Sequence, residues 1–133
     1  MSHEIEYGTT RELPDVTQEQ AIARVTEALK SEGFGILTTI DVRQTLKEKL
    51  GVATRPYVIL GACNPALAHR ALETEPGVGL LLPCNVTVFE REGGGSMVQA
   101  INPQAMFSVV KNKKLTDVVQ EVSSKLKRAI ERV

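Results

Sequence analysis

The residues best equipped for chemistry in this chain are its two cysteines, which recur in one local setting. They stand in Gly61-Ala62-Cys63-Asn64-Pro65 and in Leu81-Leu82-Pro83-Cys84-Asn85-Val86. Each segment places a Cys-Asn pair at a strand boundary. Asn64-Pro65 is a helix start in two residues, because Asn supplies a capping oxygen and Pro presets the backbone where a missing N–H costs nothing. The free N–H groups and positive dipole end of that helix would favour a thiolate at Cys63 and lower its pKa by about a unit or more. On this reading Cys63-Asn64 and Cys84-Asn85 are two corners of one shared site with a reactive thiol. The competing reading makes both cysteines small buried residues at tight corners, with Asn64 and Asn85 as cap and turn formers.

Other chemistries find less material. Zinc needs four ligands, or three and an open position, and the only histidines are His3 and His69, with no Cys-x-x-Cys pair. No metal is therefore expected within one chain, although a symmetric dimer could pool ligands from two. Gly93-Gly94-Gly95 lacks the Gly-Lys-Ser/Thr ending of a phosphate loop and reads as a hairpin turn. Gly33-x-Gly35 and Gly77-x-Gly79 do not open a helix after a strand, so neither is a dinucleotide fingerprint. No serine sits in a nucleophile-elbow pattern. Lys111, Lys113, Lys114, Lys125, Lys127, Arg128 and Arg132 make the C-terminal quarter basic and read as a solvated helix face. No aromatic residue is interleaved with them, which argues against nucleic acid as a partner.

Stepping outward from the two corners, the elements that must position them follow from periodicity. Ile5, Tyr7 and Thr9 alternate with polar residues and predict a first strand ending near Leu13-Pro14. Thr17 with Gln20 forms a capping box, and Ile22, Val25 and Leu29 continue at helical spacing to about residue 32, where Gly33 ends the helix. Phe34, Ile36, Thr38, Ile40 and Val42 alternate as a second strand. Asp41 with Gln44 can cap a short helix through Leu50, stopped by Gly51. Pro56 to Cys63 is apolar without alternation, as in an interior strand. The helix opened by Asn64 runs to about Glu73. Val78 to Leu82 is a further apolar strand or loop, Val86 to Arg91 alternates, and Met97 to Ile101 returns as its hairpin partner. Leu115, Val118, Val119, Val122, Leu126, Ala129 and Ile130 make one stripe along a final helix.

The whole is an α+β pattern: a mixed, largely antiparallel sheet with helices packed on one face. The chain has 133 residues, room for a single domain spanning 1–133. Hydrophobic residues make up 42% and charged residues 24%, as in a folded protein. Its 16 Lys plus Arg balance 16 Asp plus Glu, so no overall field draws it to phosphate backbones. The N-terminal Met-Ser-His-Glu lacks the positive region and apolar run of a secretory signal, and no apolar stretch approaches the length of a membrane span. Together with two cysteines that form no disulfide framework, this places the chain in the cytoplasm.

With Gly-Ala-Cys-Asn-Pro at 61–65, Leu-Leu-Pro-Cys-Asn-Val at 81–86 and Ile-Asn-Pro at 101–103, the chain resembles the domain-of-unknown-function 302 family from about Gln20 to Ile130. The resemblance implies a TATA-box-binding-protein-like shape and a homodimer. It carries no catalytic assignment and no cofactor. It marks Asn64, Pro65, Pro83, Cys84 and Asn85 as motif positions, with Gly61 and Cys63 beside them, which makes Cys63, Asn64, Pro65, Pro83, Cys84 and Asn85 the ligand-binding candidates. The reading that follows is a homodimer that binds a small ligand or reactive sulfur species near the two corners. Two others compete with it: a thiol-dependent enzyme or redox protein using Cys84 or Cys63, and a structural or adaptor dimer.

Overall fold

Local capping decides where most of the helices begin in the computed structural model, which describes residues 5–133. Helix α1 (Gln18–Ser31) opens on the expected capping box: Gln20 N–H donates to Thr17 Oγ1 at 3.2 Å and Thr17 N–H to Gln20 Oε1 at 3.1 Å. After it, Gly33 turns with φ 85°, which only glycine adopts at little cost. Strand β2 (Gly35–Asp41) passes directly into α2 (Val42–Leu50), because the Asp41 carboxylate accepts the Gln44 N–H at 2.9 Å. Val42 is thus the first helical residue and not the end of the strand. The expected first strand is also shorter. β1 (Gly8–Leu13) pairs with β5 (Ser96–Ile101) from Gly8 opposite Ile101 onward, and Ile5 and Tyr7 lie beyond the last partner β5 can offer.

Between these stand β3 (Tyr57–Cys63), α3 (Pro65–Thr74) and β4 (Cys84–Glu90). The Val78–Leu82 run, expected as strand or loop, lies mostly in a 3₁₀ segment, Pro76–Leu81, that buries Val78 and leaves Leu80 exposed. The β4–β5 hairpin turns through Gly93, Gly94 and Gly95, all at positive φ. A short helix α4 (Pro103–Phe107) and the long α5 (Thr116–Glu131) complete the chain.

The sheet order is β1-β5-β4-β3-β2, with every neighbouring pair antiparallel. No parallel pair completes the mixed sheet expected: β2 to β5 follow one another as antiparallel neighbours, and the one crossover, from β1 through α1 to β2, joins the two edges of the sheet, which do not pair. Val58, Leu60, Ala62, Val86, Val88, Val98 and Ala100 point to one face and pack under α1 and α5, through Val25, Leu29, Leu126 and Ile130. Among the described residues the opposite face, with Ile59, Thr87 and Gln99, carries no such layer. A second apolar cluster contains no strand residue; it joins Leu67 and Ala71 of α3 to Val78, Phe107, Leu115, Val118 and Val119. α5 belongs to both clusters, so the apolar stripe read from the sequence serves two cores in succession. Helix α2 buries none of its residues.

Candidate functional site

The register of β3 and β4 decides where each Cys-Asn pair points. Ala62 stands opposite Cys84 and Gly61 opposite Asn85, so alternation sends Cys84 to the helix side and Asn85 to the open face. Cys63 ends β3, where the chain turns into α3. Cys63, Asn64 and Cys84 consequently line one cavity of about 30 Å³, bounded also by Phe34, Leu67, Ala71, Leu82, Phe107, Val118, Val119 and Val122. A cavity of that size has room for about two water-sized groups. Its walls are almost wholly apolar, with the sulfurs of Cys63 and Cys84 the soft, polarizable exceptions.

Asn64 fixes the cavity's upper corner with both ends of its amide. Its Oδ1 accepts the Leu67 N–H at 3.3 Å, capping α3, and its Nδ2 donates to the Glu32 carbonyl at 3.2 Å. Gly33 makes room for it, since a Cβ there would lie 2.9 Å from Asn64 Nδ2. The end of α1 is itself anchored. Glu32 has a side chain only 8% exposed and meets Arg128 Nη2 at 3.0 Å and Arg132 Nη1 at 2.7 Å. The hydrogen bond from Arg128, helped by the charges of Arg128, Arg132 and Lys125, outweighs desolvation and holds the carboxyl below its usual value. Two of the C-terminal basic residues, read from the sequence as a solvated face, thus clamp the element that carries the cavity's cap.

The thiols behave differently from the expectation built on the helix dipole. Burial pushes Cys63 up, and it pushes Cys84 up to about 11, with the neighbouring Cys63 adding to the rise. Desolvation in an apolar wall favours the neutral thiol, and the lowering expected for Cys63 from its place before α3 is not found. Both cysteines are free; Cys84 is buried, while Cys63 is half-buried at the rim.

The other candidates fall elsewhere. Asn85 is exposed on the open face and lines a shallow groove with Tyr57, Thr87 and Gln99, paired with Gly61 near the end of the β3–β4 ladder and not in a turn. Pro83, joined to Leu82 by a cis bond, packs over Gly61: a Cβ at Gly61 would come within 2.8 Å of Pro83 Cγ and run into Thr38 Oγ1. Pro65 supplies the first residue of α3 and does not line the cavity. His69 pairs with Glu73 at 3.3 Å on the surface, and His3 lies outside the described residues. Among the described residues no three His, Cys, Asp or Glu side chains gather as a metal site, and no helix is long and apolar enough to cross a membrane. Phe107 is one wall residue that sequence reasoning missed, as it did Leu67 and Ala71. The signal was present in Asn102-Pro103, where Asn102 Oδ1 accepts the Gln104 N–H at 3.0 Å and opens α4 just as Asn64 opens α3.

Comparison with known proteins matches residues 9–133 to the family described as domain of unknown function DUF302. The chain belongs to the DUF302 family. It is similar to an uncharacterized conserved DUF302 protein from Bacillus stearothermophilus, known from a crystal structure, at 29% identity and a TM-score of 0.87. That likeness covers 96% of this chain and 98% of the other. No curated protein matches this DUF302 chain.

Proposed function

We propose that this DUF302 protein binds a small, uncharged ligand, or a reactive sulfur species, in the cavity where Cys63, Asn64 and Cys84 meet. The observation that carries this reading is the convergence itself: two segments about twenty residues apart in the chain deliver both sulfurs to the wall of one cavity. The volume limits the ligand to a few heavy atoms, and the absence of a charged lining residue favours a neutral one. The cavity is not an accident of loose packing, because a doubly hydrogen-bonded Asn64 and a clamped Glu32 hold its corner. The competing thiol-enzyme reading draws support from the half-exposed position of Cys63, which a reagent can reach from the rim. The working unit proposed is a homodimer in a reducing cytoplasm, where both thiols stay free.

Xenon tests the cavity directly, since apolar cavities of this kind take up a neutral, polarizable atom. Under xenon pressure, the methyl signals of Val118, Val119 and Val122 should shift in a saturable way while those of Val25 and Val98 stay fixed. Unmoved signals at all three valines would remove the ligand-binding reading.

A further inference from the structure

We propose that Cys63 carries a single sulfane sulfur as a persulfide, Cys63–S–SH, with the added sulfur lodged in the apolar cavity against Cys84. The inference rests on the ligand-binding reading above and narrows it to one substrate class, low-molecular-weight hydropersulfides. Three features of the site point the same way. The cavity of about 30 Å³ has room for about two water-sized groups, which one additional third-row atom fits. Cys63 is half-buried at the rim, where a dissolved donor can reach it, whereas Cys84 is 4% exposed and cannot be approached without opening the structure. The walls around both sulfurs come from Leu67, Leu82, Phe107 and Val119, an apolar lining that suits an uncharged, polarizable sulfur atom.

The loading step is a sulfur transfer that balances without an oxidant. Cys63–SH and R–S–SH give Cys63–S–SH and R–SH. The Cys63 sulfur bonds to the terminal sulfur of the donor, the donor's S–S bond breaks, and its electron pair leaves on R–S⁻, which takes up the proton that Cys63 gave up. The sulfane sulfur keeps its oxidation level throughout. Unloading to an acceptor thiol is the same exchange in reverse.

A second thiol beside a persulfide is ordinarily a threat, since attack by Cys84 on Cys63–S–SH would give a Cys63–Cys84 disulfide and release H₂S. That attack needs a thiolate. Burial raises both thiols, but it takes the more deeply buried Cys84 to about 11, so Cys63 at the rim is the thiol that ionises for loading while the neighbour that could discharge the sulfur is kept protonated.

The test is to incubate the folded protein with glutathione hydropersulfide and read the intact mass and the methyl spectrum. The expected result is one added sulfur per chain, located on Cys63 by peptide mapping and removed by dithiothreitol. The methyl signals of Val118 and Val119 should shift, the Cys84→Ala variant should load equally, and loading should be lost in both Cys63→Ser and Cys63→Ala. A folded chain that gains no sulfur while the urea-unfolded chain does would overturn the proposal, as would sulfur found on Cys84 or a prompt Cys63–Cys84 disulfide. Sulfur on Cys63 with unmoved valine methyls would also overturn it, because the atom would then sit outside the cavity. Saturable xenon shifts without persulfide would sink this inference and leave the cavity reading standing, whereas absence of xenon shifts would remove that reading itself.

Discussion

A thiol on an apolar wall keeps its proton because no water is available to solvate the thiolate, and Cys84 is the residue in this protein where that cost is largest. Its pKa rises from the ordinary 9.0 to about 11 on folding. For an acid whose folded pKa is raised, the stabilising contribution is fully present below the unfolded value and is lost as pH climbs through the folded one. Between pH 9 and about 11 the wild type should therefore lose stability, by about 2–3 kcal/mol more than the Cys84→Ala variant, which has no thiol to ionise. Urea midpoints collected across that range check it, with the variant as the reference curve; parallel curves would mean the Cys84 thiol is wetter than its burial indicates. Iodoacetamide gives a second reading of the same physics. At mildly alkaline pH the native protein should be alkylated slowly at Cys63 and at Cys84 only after unfolding, and equal rates at the two would contradict the placement of one at the rim and the other in the wall.

The elements around the cavity are held by a few polar contacts of long sequence separation, and these set the next predictions. Asn64→Ala removes the cap of α3 and the tie to the Glu32 carbonyl together, so a loss of about 1–2 kcal/mol in a denaturant titration is expected. Leu126→Ala, which empties a fully buried position between α5 and the sheet, should cost about 2–4 kcal/mol. The acid limb belongs to Glu32. Its carboxyl is held below the usual value, so its contribution is present above the unfolded pKa and disappears as pH falls through the folded one; Glu32→Gln should flatten that part of the pH–stability curve. These contacts also mark how far the sequence could be read. Thr17, Asp41 and Asn64 announced their helices because a cap is settled within four residues, and the α5 stripe was legible because helical period is local too. The split between Cys84, turned to the cavity, and Asn85, turned away, depends on the β3–β4 register, a property of strands brought together by folding. The rise of the Cys63 thiol is illegible for a related reason: the helix end beside it is visible in the sequence, whereas the burial that raises it comes from Phe107, Val119 and other distant residues.

At the scale of the whole molecule, the uncovered face of the sheet is the surface the proposed homodimer would use. Its middle rows run through Ile40, Ile59, Thr87, Gln99 and Thr10 and through Thr38, Gly61 and Asn85, and none of these carries a charge. Beside them Tyr57 and Phe89 stack with ring centroids 5.0 Å apart and planes at 6°, with Arg55 over the Phe89 ring. A two-fold interface sets each patch against its own copy, so a charged centre would repel itself and an uncharged one with aromatic anchors would not. Ile40 remains 46% exposed on this face, an apolar surface that burial against a partner would take out of water. Sedimentation at tens of micromolar should accordingly read two chains, the concentration lying well above the dissociation constants of stable interfaces of about 1,200–2,000 Å². Ile59→Asp, placed at the centre of the face and away from the helix-covered core, should shift the boundary to a single chain and leave the far-ultraviolet spectrum and the xenon response of the cavity unchanged. A wild-type protein that sediments as one chain would remove the homodimer, and an Ile59→Asp variant that still pairs would move the interface to another surface, since a buried aspartate facing its own copy costs several kcal/mol.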